Sequence, residues 1–267
     1  MLNIALQGIV QGLTEFLPVS SSGHLTLFQF FTGKSNLAEN LLTDIALHFG
    51  TLLAVIYYFR NDLKPFFSIN GWKQQSTRKL AGLIIIASIP TAIMGIGLKK
   101  QFEALFSSPK AVCIALFITG LMLLLAEKLK IRTATVENCE EMSFGKAIFI
   151  GFIQGCAITP GISRSGSTIS AGLLGGLNGE EAARFSFLLM IPAVSGATLL
   201  ELRKFFESST NLPISGTELM IGAAISAITG FLALKLLVFI VKKQRLSIFS
   251  YYLFFISILS FIAITGK

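Results

Sequence analysis

The stretch GIVQGLTEFLPVSSSGHL, residues 8–25, decides how the chain is read. A carboxylate (Glu15), a proline (Pro18), three consecutive serines (Ser20, Ser21, Ser22) and a histidine (His24) interrupt an otherwise apolar amino terminus. Neither apolar half is long enough to cross a bilayer at about 1.5 Å of rise per residue. Such a segment, broken in the middle by Pro, Gly and Ser, predicts a re-entrant pair of short helices.

The rest of the chain supports a membrane setting. Of its 267 residues, 53% are hydrophobic and only 13% charged, where a soluble domain carries charge on about a quarter. Six apolar runs, roughly residues 41–59, 79–98, 110–128, 181–201, 217–241 and 248–266, approach the roughly 20 residues that span a bilayer. The predicted fold is an all-α integral membrane protein with six full spans and two re-entrant pairs. The net charge of +8 does not point to nucleic acid, because most cations sit in short loops between apolar runs, where they orient membrane helices. The first Lys or Arg is Lys34, so the amino terminus is not expected to act as an ordinary cleavable signal. Cys113, Cys139 and Cys156 are too scattered for a disulfide framework or a cysteine metal cluster.

The second re-entrant region, about 144–178, repeats the first. Gly8, Gln11, Gly12, Ser20, Ser22 and Gly23 match Gly151, Gln154, Gly155, Ser163, Ser165 and Gly166 at a constant offset of 143, while Pro18 and Pro160 are one place out of register. The chain thus divides into 1–128 and 144–267, each a re-entrant pair followed by three spans. An odd number of spans per half predicts opposite orientations, the inverted-repeat plan with a site near mid-membrane where broken helices meet. Loops after the first, third and fifth spans hold twelve Lys and Arg against seven on the other side. That bias places the first set in the cytoplasm and the mouth of the Ser20–His24 pair outside.

Charges at bilayer depth cost about 2.5–3.5 kcal/mol on insertion scales and mark function. The leading candidates are Glu15, His24 and Arg164, with His48 and Arg184 in a second rank. Gln11 and Glu15 share a helix face at a spacing of four. Proline ends the first short helix, so the serines fall at the start of the second, where free backbone N–H groups favour anions. PGISRSGST, residues 160–168, offers the same in the other half, with the hydroxyls of Ser163, Ser165 and Thr168 and a guanidinium, Arg164, suited to gripping phosphate. The ligand expected of such a set is a phosphate or diphosphate inside a membrane. Duller roles compete: Ser and Gly also cap and pack helices, Glu15 and Arg164 can form a structural ion pair, and His24 can sit at an interface.

QGLTEFLPVSSSGH and PGISRSGST resemble the two signature motifs of bacterial undecaprenyl-diphosphate phosphatases of the bacitracin-resistance type, and the resemblance covers nearly the whole chain. It implies a multi-pass enzyme of the bacterial cytoplasmic (inner) membrane, opening to the outer side. Such an enzyme removes the terminal phosphate of a polyprenyl diphosphate lipid and recycles the carrier for peptidoglycan. It also implies a divalent cation, Mg²⁺ or Ca²⁺. Carried over by position, Gln11 and Glu15 fall on the acidic metal motif, whose first place admits Glu or Gln. Ser21 falls on the proposed nucleophile, His24 on the motif histidine and Arg164 on the diphosphate-binding arginine. Ser20, Ser22, Gly23, Ser163, Ser165 and Thr168 line the substrate. Ser21 attack, with His24 or Glu15 taking the proton, and attack by metal-bound water both remain open. No nucleic acid is expected, and the only protein partner left open is a second copy of the chain. The rival functions are a secondary transporter or flippase for a phosphorylated lipid, since broken helices in inverted repeats serve transport equally, and a non-catalytic lipid-binding scaffold.

Overall fold

The computed structural model describes residues 1–33, 37–106, 108–129, 138–207, 215–243 and 245–266, with side chains throughout except at 37–41, 99, 103, 106, 204 and 206. Every element among them is helical: α1 (Leu2–Phe16), α2 (Ser21–Thr32), α3 (Leu37–Tyr58), α4 (Arg60–Leu63), α5 (Ile69–Lys73), α6 (Gln75–Gly97), α7 (Lys99–Phe106), α8 (Pro109–Leu129), α9 (Phe144–Cys156), α10 (Arg164–Leu174), α11 (Gly179–Glu207), α12 (Gly216–Lys242) and α13 (Ser247–Thr265). Helices α6, α8, α11, α12 and α13 are long and apolar enough to span a membrane. Residues 42–58 of α3, bent by 75° from the leg at 60–67, make a sixth. The chain is an all-α integral membrane protein. Its perimeter carries exposed Ile85, Ile93, Leu199, Ile228, Phe239 and Phe255, as a molecule dissolved in lipid should.

The two broken regions are the short pairs α1–α2 and α9–α10. Each pair's first helix packs on a span from the other half: α1 on α12, and α9 on α6. Small residues permit the close approach, as is usual between membrane helices. A Cβ on Gly12 would collide with Thr229 and the Gly230 backbone, and one on Gly151 with the Ala87 carbonyl. The contacts correspond in detail. Thr229 Oγ1 donates to Gly8 O at 3.4 Å, and Thr91 Oγ1 to Gly151 O at 2.9 Å, where Gly8 and Gly151 are matched residues. The core between the halves is closed by Phe16, Phe187, Leu116 and Leu188, all under 2% exposed.

At one end, an ionic knot ties three chain segments together. Arg184 of α11 donates to Asp62 at 2.6 Å, Glu140 at 2.9 Å and Glu181 at 3.1 Å. Burial works against the Glu140 carboxylate, but the hydrogen bonds and charge of Arg184 outweigh it and hold its pKa below the ordinary value. Burial drives the adjacent Cys139 thiol well above its own. Arg184, a second-rank candidate in the sequence, therefore joins a half-buried network of carboxylates apart from the serine loops.

Candidate active site

The first loop forms because Leu17 precedes a proline and takes the extended conformation (φ −61°, ψ 144°), which such residues prefer. The chain then turns at Ser20, at φ +70° the one non-glycine residue with positive φ among those described. Ser20 caps α2, its Oγ accepting from Gly23 N at 3.3 Å; the cap offsets part of the strain. Ser21 is thereby the first residue of α2. In the other half Ser163 caps α10, accepting from Gly166 N at 3.1 Å, and Arg164 opens the helix. The serines therefore stand at helix starts, as the sequence predicts.

The loops abut. Ser20 Oγ reaches Ile162 O at 3.5 Å, and Ser165 Oγ donates to Leu17 O at 3.3 Å. A side chain on Gly23 would meet Leu116 and the Gly161 backbone, and one on Gly166 would press on Pro18.

Glu15, from the last turn of α1, is the centre of what this contact creates, and it is 6% exposed. Arg164 donates through Nη2 to its Oε1. Ser21 Oγ donates to Oε2 at 2.5 Å, and Gln11 Nε2 to the same oxygen at 2.9 Å. His48 of α3 brings Nε2 to 3.8 Å from Oε2. Two buried polar atoms in this cluster have no partner: Arg164 Nη1 and Gln11 Oε1. A buried donor left unpaired costs about 1–3 kcal/mol, and an acceptor such as an anion oxygen would satisfy Arg164 Nη1. Glu15 and the spare Gln11 oxygen are hard donors of the kind that suit Mg²⁺ or Ca²⁺.

The remaining sequence candidates are distributed differently. His24 turns toward α13: Nδ1 lies 2.8 Å from Ser20 O, and Nε2 lies 2.7 Å from the Tyr252 hydroxyl, with the rings stacked. Both its ring nitrogens are engaged away from Glu15. Thr168 Oγ1 pairs with Ser186 Oγ at 2.5 Å and donates to Arg164 O at 2.9 Å, tying α10 to α11. Ser22 Oγ lies 3.3 Å from Ser20 Oγ, and Ser163 Oγ lies 3.2 Å from Ser165 Oγ. His48 and Tyr252 are the neighbours that the motifs alone do not place. The only sequence signal for His48 is a histidine one helical turn after Asp44 inside an apolar run. Cys139, Glu140 and Glu181 also offer metal-type ligand atoms within 4.8 Å of one another, but Arg184 donates into that group.

The chain matches the family model described as bacitracin resistance protein BacA over residues 4–259. It is 45% identical over 255 residues to the undecaprenyl-diphosphatase of Carboxydothermus hydrogenoformans, covering 94% of this chain and 92% of that protein. It is 43% identical over 253 residues to the undecaprenyl-diphosphatase of Halothermothrix orenii, covering 94% and 93%. An undecaprenyl-diphosphatase of Methanobrevibacter smithii is 37% identical over 269 residues, covering 95% and 94%.

Proposed function

The chain belongs to the bacitracin resistance protein BacA family, and from that membership we propose that it is a membrane phosphatase hydrolysing undecaprenyl diphosphate to undecaprenyl phosphate and inorganic phosphate. The observation that carries this reading is the junction of Glu15 with Arg164 and Ser21, which sets a hydroxyl on a carboxylate beside a guanidinium with a donor to spare.

Phosphoryl transfer asks for neutralised phosphate oxygens, a nucleophile in line and a stabilised leaving group. Arg164 Nη1 grips the diphosphate while Nη2 stays on Glu15. The backbone N–H groups at the starts of α2 and α10 add charge-stabilising donors. Ser21 Oγ attacks the terminal phosphorus as its proton passes to Glu15 Oε2, 2.5 Å away. The bond from that phosphorus to the bridging oxygen breaks, and undecaprenyl phosphate leaves with both bonding electrons. Water then attacks the phosphoserine, the Oγ–P bond breaks, Oγ takes back the proton held on Glu15, and the protons of the water leave with inorganic phosphate or pass to solvent. A divalent cation, Mg²⁺ or Ca²⁺, held by Glu15 and the Gln11 oxygen would supply further positive charge to the diphosphate. His24 serves in this scheme through its contact with Tyr252, fixing the start of α2 against α13.

The halves 1–128 and 144–267 are read as inverted repeats. The matched Gly8 and Gly151 contacts and the exchanged packing of α1 and α9 support that reading. The membrane is the bacterial cytoplasmic membrane, the mouth of α1–α2 faces outward, and the product is carrier lipid for wall polymers. Purified protein in detergent with undecaprenyl diphosphate and Mg²⁺ should release phosphate and undecaprenyl phosphate in equal amounts. Detergent abolishes compartments, so a lipid carrier or scaffold would release none, and that outcome would remove the enzyme reading.

Orientation has its own test. Ser68 and Lys100 are both exposed and lie on opposite sides by the positive-inside bias. In a cysteine-free background, Lys100→Cys in intact cells should react with an impermeant thiol reagent, and Ser68→Cys should not. The reverse pattern would overturn the orientation. Ser35, which the sequence also places on the outer side by the same bias, falls outside the described residues.

A further inference from the structure

His48 takes no part in the scheme above, yet it stands beside the carboxylate at its centre. Its Nδ1 lies 2.8 Å from the backbone oxygen of Asp44. A carbonyl oxygen only accepts, so Nδ1 carries the hydrogen, and whenever the ring is neutral its lone pair is at Nε2. That atom faces Glu15 Oε2 at 3.8 Å. The separation is too long for a hydrogen bond. It suits two ligand atoms that each lie about 2.0–2.6 Å from one shared ion. Metal-binding histidines typically hold their second ring nitrogen in this way, with its N–H given to a carbonyl or carboxylate.

The third element is Gln11, fully buried and one turn before Glu15 on α1. Its Nε2 donates to the same Oε2, and its Oε1 has no partner. A cation on Oε2 would draw the amide oxygen in place of the amide N–H, giving the orphaned atom a use. His24 cannot fill the role that His48 offers, because both its nitrogens are committed to Ser20 and Tyr252. Ser21 Oγ on Oε2 keeps the reacting hydroxyl adjacent to the same oxygen, and Arg164 stays on Oε1.

We infer that His48 Nε2 is a ligand of the divalent cation, completing with Glu15 and Gln11 a mixed nitrogen–oxygen site on α1 and α3. The inference deepens the phosphatase reading and rests on it for its catalytic meaning, but the ligand set is testable without turnover. An imidazole favours ions that accept nitrogen, such as Mn²⁺, over Ca²⁺, which prefers oxygen alone.

The test uses the purified full chain in detergent with Mn²⁺ alone, read by pulsed electron paramagnetic resonance and equilibrium binding. Wild-type protein should show the ¹⁴N modulation of a directly bound imidazole, converted to the ¹⁵N pattern when histidine is ¹⁵N-labelled. His48→Gln and His48→Asn, checked for folding by size-exclusion, should lose the modulation and bind Mn²⁺ at least about tenfold more weakly. His24→Gln should keep the modulation. A wild-type protein that binds no Mn²⁺ or shows no nitrogen coupling overturns the inference, as does coupling that survives in His48→Gln. The two readings fail separately. Normal phosphate release without nitrogen coupling removes only the His48 ligand, whereas nitrogen coupling without phosphate release removes the phosphatase reading.

Discussion

Glu15→Gln protein is expected to lose about a hundredfold or more of its phosphate-release rate, and added Mg²⁺ should restore little of it. The substitution keeps the shape of the side chain and removes its charge. Three functions go with that charge. Oε2 no longer accepts the Ser21 proton, a step of the general-base kind that contributes about 10²–10⁴-fold. The proposed cation would lose its one carboxylate, and a neutral amide attracts a hard ion poorly. Arg164 loses the partner that holds its Nη2, leaving Nη1 less well aimed. Because removing one member of a buried ion pair costs about 3–5 kcal/mol of stability, size-exclusion and thermal unfolding in detergent must show that the variant is folded at the assay temperature. Near-normal turnover with an unchanged Mg²⁺ titration would reduce Glu15 to a counter-ion of Arg164 and move the cation elsewhere.

Arg164→Lys should lower turnover by at least about tenfold, equivalent to about 1.4 kcal/mol of transition-state stabilisation. An ammonium keeps the positive charge, but it lacks the planar fork that lets one nitrogen hold Glu15 while the other takes the phosphate. The structure displays that division: Nη2 on Oε1, Nη1 buried with no acceptor. Lysine can satisfy one of these demands at a time. Turnover unaffected in folded, membrane-inserted Arg164→Lys protein would take the arginine out of the site.

Much of this architecture is written locally in the chain, and is therefore readable. Pro18, the serine runs and the offset of 143 between the two motifs report where helices break and restart, because prolines, caps and helix starts act within one turn. Apolar runs place the six spans within a few residues. What stays hidden depends on which distant surfaces meet. Glu15 and Arg164 are 149 positions apart, and whether they pair through a side-on or forked contact is decided by the crossing of two loops. His24 has the site histidine's place in the motif, and which way its ring points is set by Tyr252 of α13, 228 positions away. His48 lies in an ordinary apolar run and reaches Glu15 only because α3 packs beside α1. The repeats also diverge in a way that spacing alone obscures. α1 continues to Phe16, whereas α9 stops at Cys156, three residues before the position matching Phe16. The longer second loop turns through Gly161 at φ +92°, while the first turns at Ser20.

The central claim is that the two broken helix pairs meet to make one diphosphate site between Glu15, Ser21 and Arg164. An experimental structure of the wild-type protein with a polyprenyl methylene-diphosphonate, whose bridge cannot be hydrolysed, tests it most directly. The terminal phosphonate should lie within hydrogen-bond distance of Arg164 Nη1, with Ser21 Oγ facing its phosphorus. A hollow of about 510 Å³ lies beside the ionic knot and is lined by Lys79, Glu140 and Arg184 among others. A head group bound there, with the Glu15–Arg164 junction undisturbed, would contradict the claim.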